Sequence, residues 1–355
     1  MEKKILMFTE VFANGGIEKV IYDINKNKSS KYEIINLCVN NYTTVFNDID
    51  VKSLLNKNYK KAIIRNLFSM LKFRKFLKNN KFDILHINTH WAFGYIWAFW
   101  ARKYVDKIIV HAHTSGIEND RLEIKKFINT IIKKIFYSKK NLCIACSKEA
   151  GEFCLGNVDY KIIYNGINTS KFLYNANIRK IEREKLGLND DDFVIGNVGR
   201  FESQKNHAFL IRVFNELYKK NKNVFLIIIG KGSQKEKILK MINEYDLENR
   251  VKIIDSSRNI EKYYNIFDMF LFPTLFEGFP ISLLEAQTSS LCCLISDNVD
   301  KNAIISNSTY VIHLDVKKWT ETFFKYMQYD RTNVKINMSF DFNNTLRKIE
   351  KIYEL

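Results

Sequence analysis

Short runs of β-branched and aromatic residues alternate with longer amphipathic stretches along most of this 355-residue chain. In the first half the runs are KILMFT (4–9), YEIINLCV (32–39), FDILHI (82–87), KIIVHAH (107–113), LCIAC (142–146) and YKIIYN (160–165). They predict buried strands, and the helical stretches between most of them predict the crossovers of a parallel sheet. A second series begins at FVIGNVG (193–199) and continues through VFLIIIG (224–230), RVKIID (250–255), DMFLFP (268–273) and LCCLIS (291–296). The polar stretch around 170–190 separates the two series, and FDFNNTLRKIEKIYEL (340–355) reads as a closing helix. Two successive doubly wound α/β units imply a cleft between them, the expected seat of a nucleotide ligand.

Hydrophobic residues make up 46% of the chain and aromatic residues 14%, which supplies packed cores and excludes wholesale disorder. At this length two domains are expected. The net charge of +17 is uneven: residues 1–170 carry 28 Lys and Arg against 15 Asp and Glu, so the rest of the chain contributes only +4. Such asymmetry points the first half toward an anionic surface, either membrane or nucleic acid. Residues 57–81 hold nine Lys or Arg and no acid, with Ile63, Ile64, Leu67, Phe68 and Leu71 as an apolar stripe. That segment is either a solvated helix whose long cations cover apolar surface or an interfacial helix touching anionic lipid. Residues 121–140 are similar.

The opening MEKKILMFTE breaks its apolar run at Glu10, so no secretory signal is expected. The longest apolar run, WAFGYIWAFWA (91–101), falls short of the roughly 18 residues that a spanning helix requires. The expectation is a cytoplasmic protein, at most peripheral on the inner face of the cell membrane. Six cysteines lie mostly in strand-like runs and predict reduced core thiols. CIAC at 143–146 has no second CxxC or His pair to complete a zinc site.

The candidate chemistry gathers after strands. FPTLFEGFPISLLEAQ (272–287) contains both prolines of the chain, Pro273 and Pro280. Pro273 ends a strand, and Pro280 stands where a helix starts and its missing N–H costs nothing. The helix N-terminus then offers free N–H groups and partial positive charge to a phosphate. Glu277 in the loop and Glu285 about one turn into the helix would face a wet cleft and accept hydrogen bonds from sugar hydroxyls. Taken alone, the same spacing describes a capped helix with two surface glutamates. Other segments add to it. GRFESQKNH (199–207) offers Arg200 and Lys205 to a diphosphate. NGGIEK (14–19) offers Gly15 and Gly16, whose backbone can approach a phosphate closely. HAHTS (111–115) carries two histidines at a strand end, of which at most one is expected to face the cleft.

These segments together resemble the retaining glycosyltransferases of family 4, with their Glu-x7-Glu signature and two-domain GT-B fold, in bacterial cell-surface polysaccharide synthesis. The resemblance runs through NGGIEK, FDILHIN, HAHTS, IIYNGINTSKF, NVGRFESQKNH, LIIIGKGSQ, FLFPTLFEGFPISLLEA and the closing helix. It implies two Rossmann-like domains: residues 1–172, with helix 340–355 packing back on them, for the acceptor, and 173–339 for the donor. It implies that Glu277 and the backbone of Gly278 and Phe279 hold the donor sugar and that Glu285 holds the ribose. Arg200, Lys205 and the N–H groups around Ser282 and Leu283 would hold the diphosphate, with Gly15, Gly16 and Gly230 also in the donor site. His113 would lie near the anomeric carbon, and Arg258 would meet the nucleobase through its backbone. The implied reaction moves a hexose or N-acetylhexosamine from a UDP-sugar to a saccharide acceptor on a lipid carrier, in capsule, exopolysaccharide or lipopolysaccharide synthesis. No cofactor is implied, because Arg200, Lys205 and the helix N-terminus replace a metal in stabilising the leaving group.

Rival readings are weaker in the residues. NDDD (189–192) holds a DxD but precedes a strand, as a solvated turn does. GKG (230–232) lacks the third glycine of a dinucleotide fingerprint. A nucleic-acid-binding protein fits the charge, yet no RNA or DNA module is visible and no nucleic-acid partner is expected. A GT-B nucleotide-sugar epimerase is the alternative enzyme.

Overall fold

The computed structural model describes residues 2–42, 44–55, 62–116, 122–189, 191–255, 259–331 and 334–355. The chain divides into two units, residues 1–165 with 345–355, and residues 166–344. The division falls a few residues from the expected 172 and 340.

The first unit contains β1 (Lys3–Phe12), α1 (Gly16–Asn27), β2 (Tyr32–Asn41), β3 (Val51–Ser53), α2 (Ala62–Asn79), β4 (Ile84–Thr89), α3 (Phe93–Ala101), β5 (Lys107–Ala112), α4 (Leu122–Phe136), β6 (Leu142–Ala145), α5 (Lys148–Cys154) and β7 (Lys161–Ile162). Among the described residues these strands form a seven-stranded sheet in the order β3-β2-β1-β4-β5-β6-β7. Every pairing is parallel, with Ile5 of β1 opposite Ile34 on one side and Ile84 on the other. Strands covered on both faces need continuous apolar runs, and β4 is buried throughout. α3 lies between α2 and α4. Tyr95, Ile96, Trp97 and Ala98 of α3 are buried, which accounts for the most apolar run of the chain without any membrane span. Gly94 lets α3 meet the sheet: a Cβ there would come within 2.9 Å of Thr89.

The second unit contains α6 (Thr169–Phe172), α7 (Ala176–Lys185), β8 (Phe193–Val198), α8 (His207–Lys220), β9 (Val224–Ile229), α9 (Lys235–Glu244), β10 (Val251–Ile254), α10 (Ile260–Ile266), β11 (Met269–Phe272), α11 (Ile281–Thr288), β12 (Cys292–Ser296), β13 (Thr309–Ile312) and α12 (Val316–Tyr326). Its described strands form a six-stranded parallel sheet, β10-β9-β8-β11-β12-β13. Phe214, Leu226, Leu271, Leu294 and Trp319 lie in its core. The last helix, α13 (Phe342–Glu354), returns to the first unit from Thr345 onward. There Leu346, Ile349, Ile352 and Tyr353 are buried.

Two strands lie outside the predicted runs. β3 is three residues with half-exposed ends, and β13 follows a loop with only TYVI to mark it. The run 160–165 narrows to β7, whose two residues are exposed at a sheet edge. All six cysteines are buried and none is in a disulfide.

Candidate active site

In the second sheet the strand order reverses between β8 and β11, so the loops after these two strands meet at the point where ligands of open α/β sheets bind. The loop after β8 runs through Arg200, a short 3-10 turn at Ser203–Lys205 and Asn206, whose φ of 53° is left-handed. Asparagine tolerates that conformation, and it turns the chain into α8. The loop after β11 runs from Pro273 to Pro280. Gln204 joins the two: its carbonyl accepts from Leu275 N–H at 2.8 Å and lies 2.9 Å from Thr274 Oγ1, and its Nε2 donates to the Phe276 carbonyl at 2.8 Å.

The two glutamates sit in this frame, but neither faces open water. Glu277 is 8% exposed and Glu285 4%. Glu277 Oε1 accepts from Lys205 Nζ at 2.6 Å and from Thr274 Oγ1 at 2.8 Å. Glu285 Oε2 accepts from the Tyr264 hydroxyl at 2.8 Å. The expectation of wet carboxylates is therefore corrected: each is desolvated and held by a buried hydroxyl. Such groups need their partners, because a buried unpaired charge is expensive. Lys205 also lies over the Phe272 ring, 4.9 Å from its centroid. An ammonium has three N–H donors; one is used on Glu277. Arg200 is exposed.

α11 begins at Pro280 with no side-chain cap and no acid in its first turn. α5, α7 and α12 are capped by Ser147, Asn175 and Asp315 respectively. The N–H groups of Ser282 and Leu283 lie in the first turn of α11, where no intrahelical acceptor exists. Gly278 and Phe279 precede it, and Phe279 stacks on Phe340 with centroids 5.5 Å apart. Gly230 has a packing reason for being glycine: a Cβ would fall 2.0 Å from the Gly199 carbonyl oxygen. Arg258 lies outside the described residues.

In the first unit the order reverses between β1 and β4. The NGG loop follows β1, but the chain's own carboxylate covers it. Glu18, 6% exposed, accepts from Ala13 N–H at 3.2 Å, and its Oε2 lies 2.5 Å from where a Gly15 Cβ would be. The close backbone approach that the two glycines allow is taken up by Glu18. Gly16 is exposed.

The two histidines of HAHTS share a face, since residues two apart on a strand point the same way. Their ring centroids are 3.9 Å apart. His111 is buried beneath, and the half-buried His113 bonds through Nε2 to Asn88 Oδ1 at 2.9 Å. Asn88 Nδ2 points toward Met7 Sδ at 3.0 Å and the Phe8 carbonyl. Oδ1 therefore accepts, and His113 carries its proton on Nε2. Below, His86 bonds His111 at 3.1 Å and the Tyr353 hydroxyl at 2.8 Å. Burial holds all three imidazoles well below their usual pKa, with His86 near 3. They are neutral at neutral pH.

The decoys resolve as structure. Asp192 accepts from Asn189 N–H at 2.8 Å and pairs with Arg250 at 3.2 Å in the turn before β8. Among the described residues no three His, Cys, Asp or Glu cluster as metal ligands would. No described helix is long and apolar enough to cross a membrane.

Comparison with known proteins decides the class. Residues 14–171 match the family model Glycosyltransferase Family 4, and residues 178–314 match Glycosyl transferases group 1. The chain is a glycosyltransferase of the GT-B fold. It is 25% identical to the putative glycosyltransferase EpsF of Bacillus subtilis, over 84% of this chain and 80% of that one. Identity is 29% to the capsular polysaccharide biosynthesis glycosyltransferase CapH of Staphylococcus aureus, over 79% of each. It is 28% to an N-acetylgalactosaminyltransferase of Campylobacter jejuni named for a diphospho-undecaprenol acceptor, covering 83% and 81%. Among solved structures, Anabaena HepE in complex with UDP and glucose superposes with a TM-score of 0.80 at 17% identity, covering 99% of both chains. The two sheets of this glycosyltransferase are thus the two Rossmann-like domains of its fold.

Tyr264, Thr274 and Glu18 are site residues that the sequence pattern did not mark. Thr274 stands inside the quoted proline corner, three residues before Glu277. Tyr264 stands 21 residues before Glu285 in a helix with no motif.

Proposed function

We propose that this glycosyltransferase is metal-independent and retaining, and that it moves a hexose or N-acetylhexosamine from a UDP-sugar to a lipid-linked saccharide. The observation that carries the reading is the uncapped N-terminus of α11 beside Lys205 and Glu277 on two tied loops. Departure of a nucleoside diphosphate leaves negative charge on phosphate, and fixed donors in a desolvated site stabilise it without reorganising. Arg200, the two remaining Lys205 donors and the Ser282 and Leu283 N–H groups serve that charge. Glu277 orients the transferred sugar, with the Gly278 and Phe279 backbone beside it, and Glu285 takes the ribose hydroxyls. In the first unit, His113 presents an unprotonated Nδ1 to a sugar hydroxyl. The polysaccharide and diphospho-undecaprenol enzymes among the relatives support the class of acceptor.

An anionic membrane is the proposed second partner. On α2, Leu67, Phe68 and Leu71 are exposed beside Lys72, Arg74, Lys75 and Lys78, and on α4, Phe127, Ile128, Ile131 and Ile135 are exposed. α3 links them: Phe99 packs on Phe136 and Trp100 lies under Arg74. Ile63 and Ile64 fall outside the described side chains. Exposed apolar residues ringed by cations suit the boundary of an anionic bilayer.

The test is turnover of a panel of UDP-sugars with an undecaprenyl-diphosphate saccharide in excess chelator, followed by NMR of the product's anomeric centre. The expected product keeps the donor's configuration and forms without divalent metal. An inverted product, or activity that returns only with magnesium or manganese, would overturn the mechanism.

A further inference from the structure

Tyr264 is enclosed by aromatic rings: Phe172, Phe267 and Phe270 lie with centroids 5.6 to 6.0 Å from its own. The residue is fully buried. Its backbone carbonyl is fixed by Arg331 Nη2 at 3.1 Å. The one polar atom of the side chain reaches α11, where it lies 2.8 Å from Glu285 Oε2 and 3.2 Å from the Ser282 carbonyl. A hydroxyl has a single proton, and the nearer, charged acceptor is the stronger one. Burial, with Glu285 second, raises the phenol well above its ordinary pKa, so it stays a donor at any working pH.

We infer that Tyr264 is a positioning residue, holding one oxygen of Glu285 so that the carboxylate meets the nucleotide ribose in a single orientation. The inference rests on the proposal that Glu285 binds ribose. A phenylalanine would fill the same aromatic enclosure, so the structural part of the residue would survive its replacement while the hydroxyl was lost. At metal sites, removing an outer partner that orients a ligating side chain costs about 10- to 100-fold, and a carboxylate oriented toward ribose is held in the same way.

The experiment compares UDP with 2′,3′-dideoxy-UDP as probes on the full chain, by calorimetry, for wild type, Tyr264→Phe, Glu285→Gln and the double variant. Wild type should bind UDP more tightly. Tyr264→Phe should weaken UDP by about 10-fold, at the low end of that range, and leave the dideoxy probe unchanged. In the Glu285→Gln background the same change should have no further effect. Thermal melts accompany each variant, and the dideoxy probe reports whether the pocket is intact. If wild type separates the probes and Tyr264→Phe separates them equally well, the positioning role fails while the ribose role of Glu285 stands. If wild type binds both probes equally, or neither, the ribose role fails and takes this inference with it.

Discussion

Both units start a helix just after a strand at the point where their sheet reverses, α1 after β1 and α11 after β11, and they treat its N-terminus in opposite ways. In α1 the third helical residue, Glu18, folds back over the Gly15 loop and accepts from Ala13 N–H. The carboxylate supplies the negative charge that a helix N-terminus attracts. In α11 a proline opens the helix, no side chain caps it and the first acid, Glu285, is tied to Tyr264. A glycine-rich loop is therefore no guide by itself to where phosphate binds. What matters is whether the chain has already supplied an anion.

The sharpest way to break this contrast is at the second unit. Arg200→Ala should lower kcat/KM by about 100- to 1,000-fold, as loss of a charge-stabilising donor does, with an unchanged melting temperature because the side chain is exposed. Glu277→Gln should cost about 10- to 150-fold, the worth of one charge-assisted hydrogen bond. It should also melt lower, because it leaves Lys205 without its carboxylate in a site where both are largely buried. Equal melts for the two variants would mean that the pair does not hold the loop. Full activity in either would return the corner to a plain helix start.

In place of an open helix end, the first unit exposes the cations of α2 beside Leu67, Phe68 and Leu71. Changing Lys72, Arg74, Lys75 and Lys78 of α2 to Gln should weaken sedimentation with vesicles containing anionic lipid, each cation contributing up to about 1 kcal/mol near such a surface. Neutral vesicles should show little difference. Undiminished binding to anionic vesicles would remove α2 from the membrane face.

The smallest effect is the most direct test of the comparison. Glu18→Gln removes the anion from α1 and should cost about 1 kcal/mol of stability, read by denaturant titration. UDP affinity should change by less than about 2-fold, the scatter of substitutions that share no partner with the binding residues. A marked gain in affinity would show that the Gly15 loop was a phosphate seat held shut.

The sequence made the sheets legible because strands covered on both faces must be apolar throughout, and runs such as VFLIIIG have no other economical structure. It left β3 and β13 hidden, since edge strands three or four residues long with half-exposed side chains carry no such signal. The site was legible wherever a residue type is forced by backbone geometry, as at Pro273 and Pro280. It was not legible where the chemistry depends on a partner far along the chain. No pattern ties Tyr264 to Glu285, or Lys205 to Glu277, across 21 and 72 residues. Burial was misjudged for the same reason: a charged residue is assigned to water until its partner is known.

The return of α13 to the first unit sets an order of events on the ribosome. Lys3 and Lys107 both donate to the Tyr353 carbonyl, and the Tyr353 hydroxyl meets buried His86. During synthesis these groups wait for a segment that emerges only after the whole second unit has been made. The second unit can close around its own core first, while the first sheet, begun earlier, is completed later. A nascent chain stalled near residue 344 would thus carry a finished second unit and an unfinished first unit. Proteolysis of such stalled chains should spare the part that was translated second.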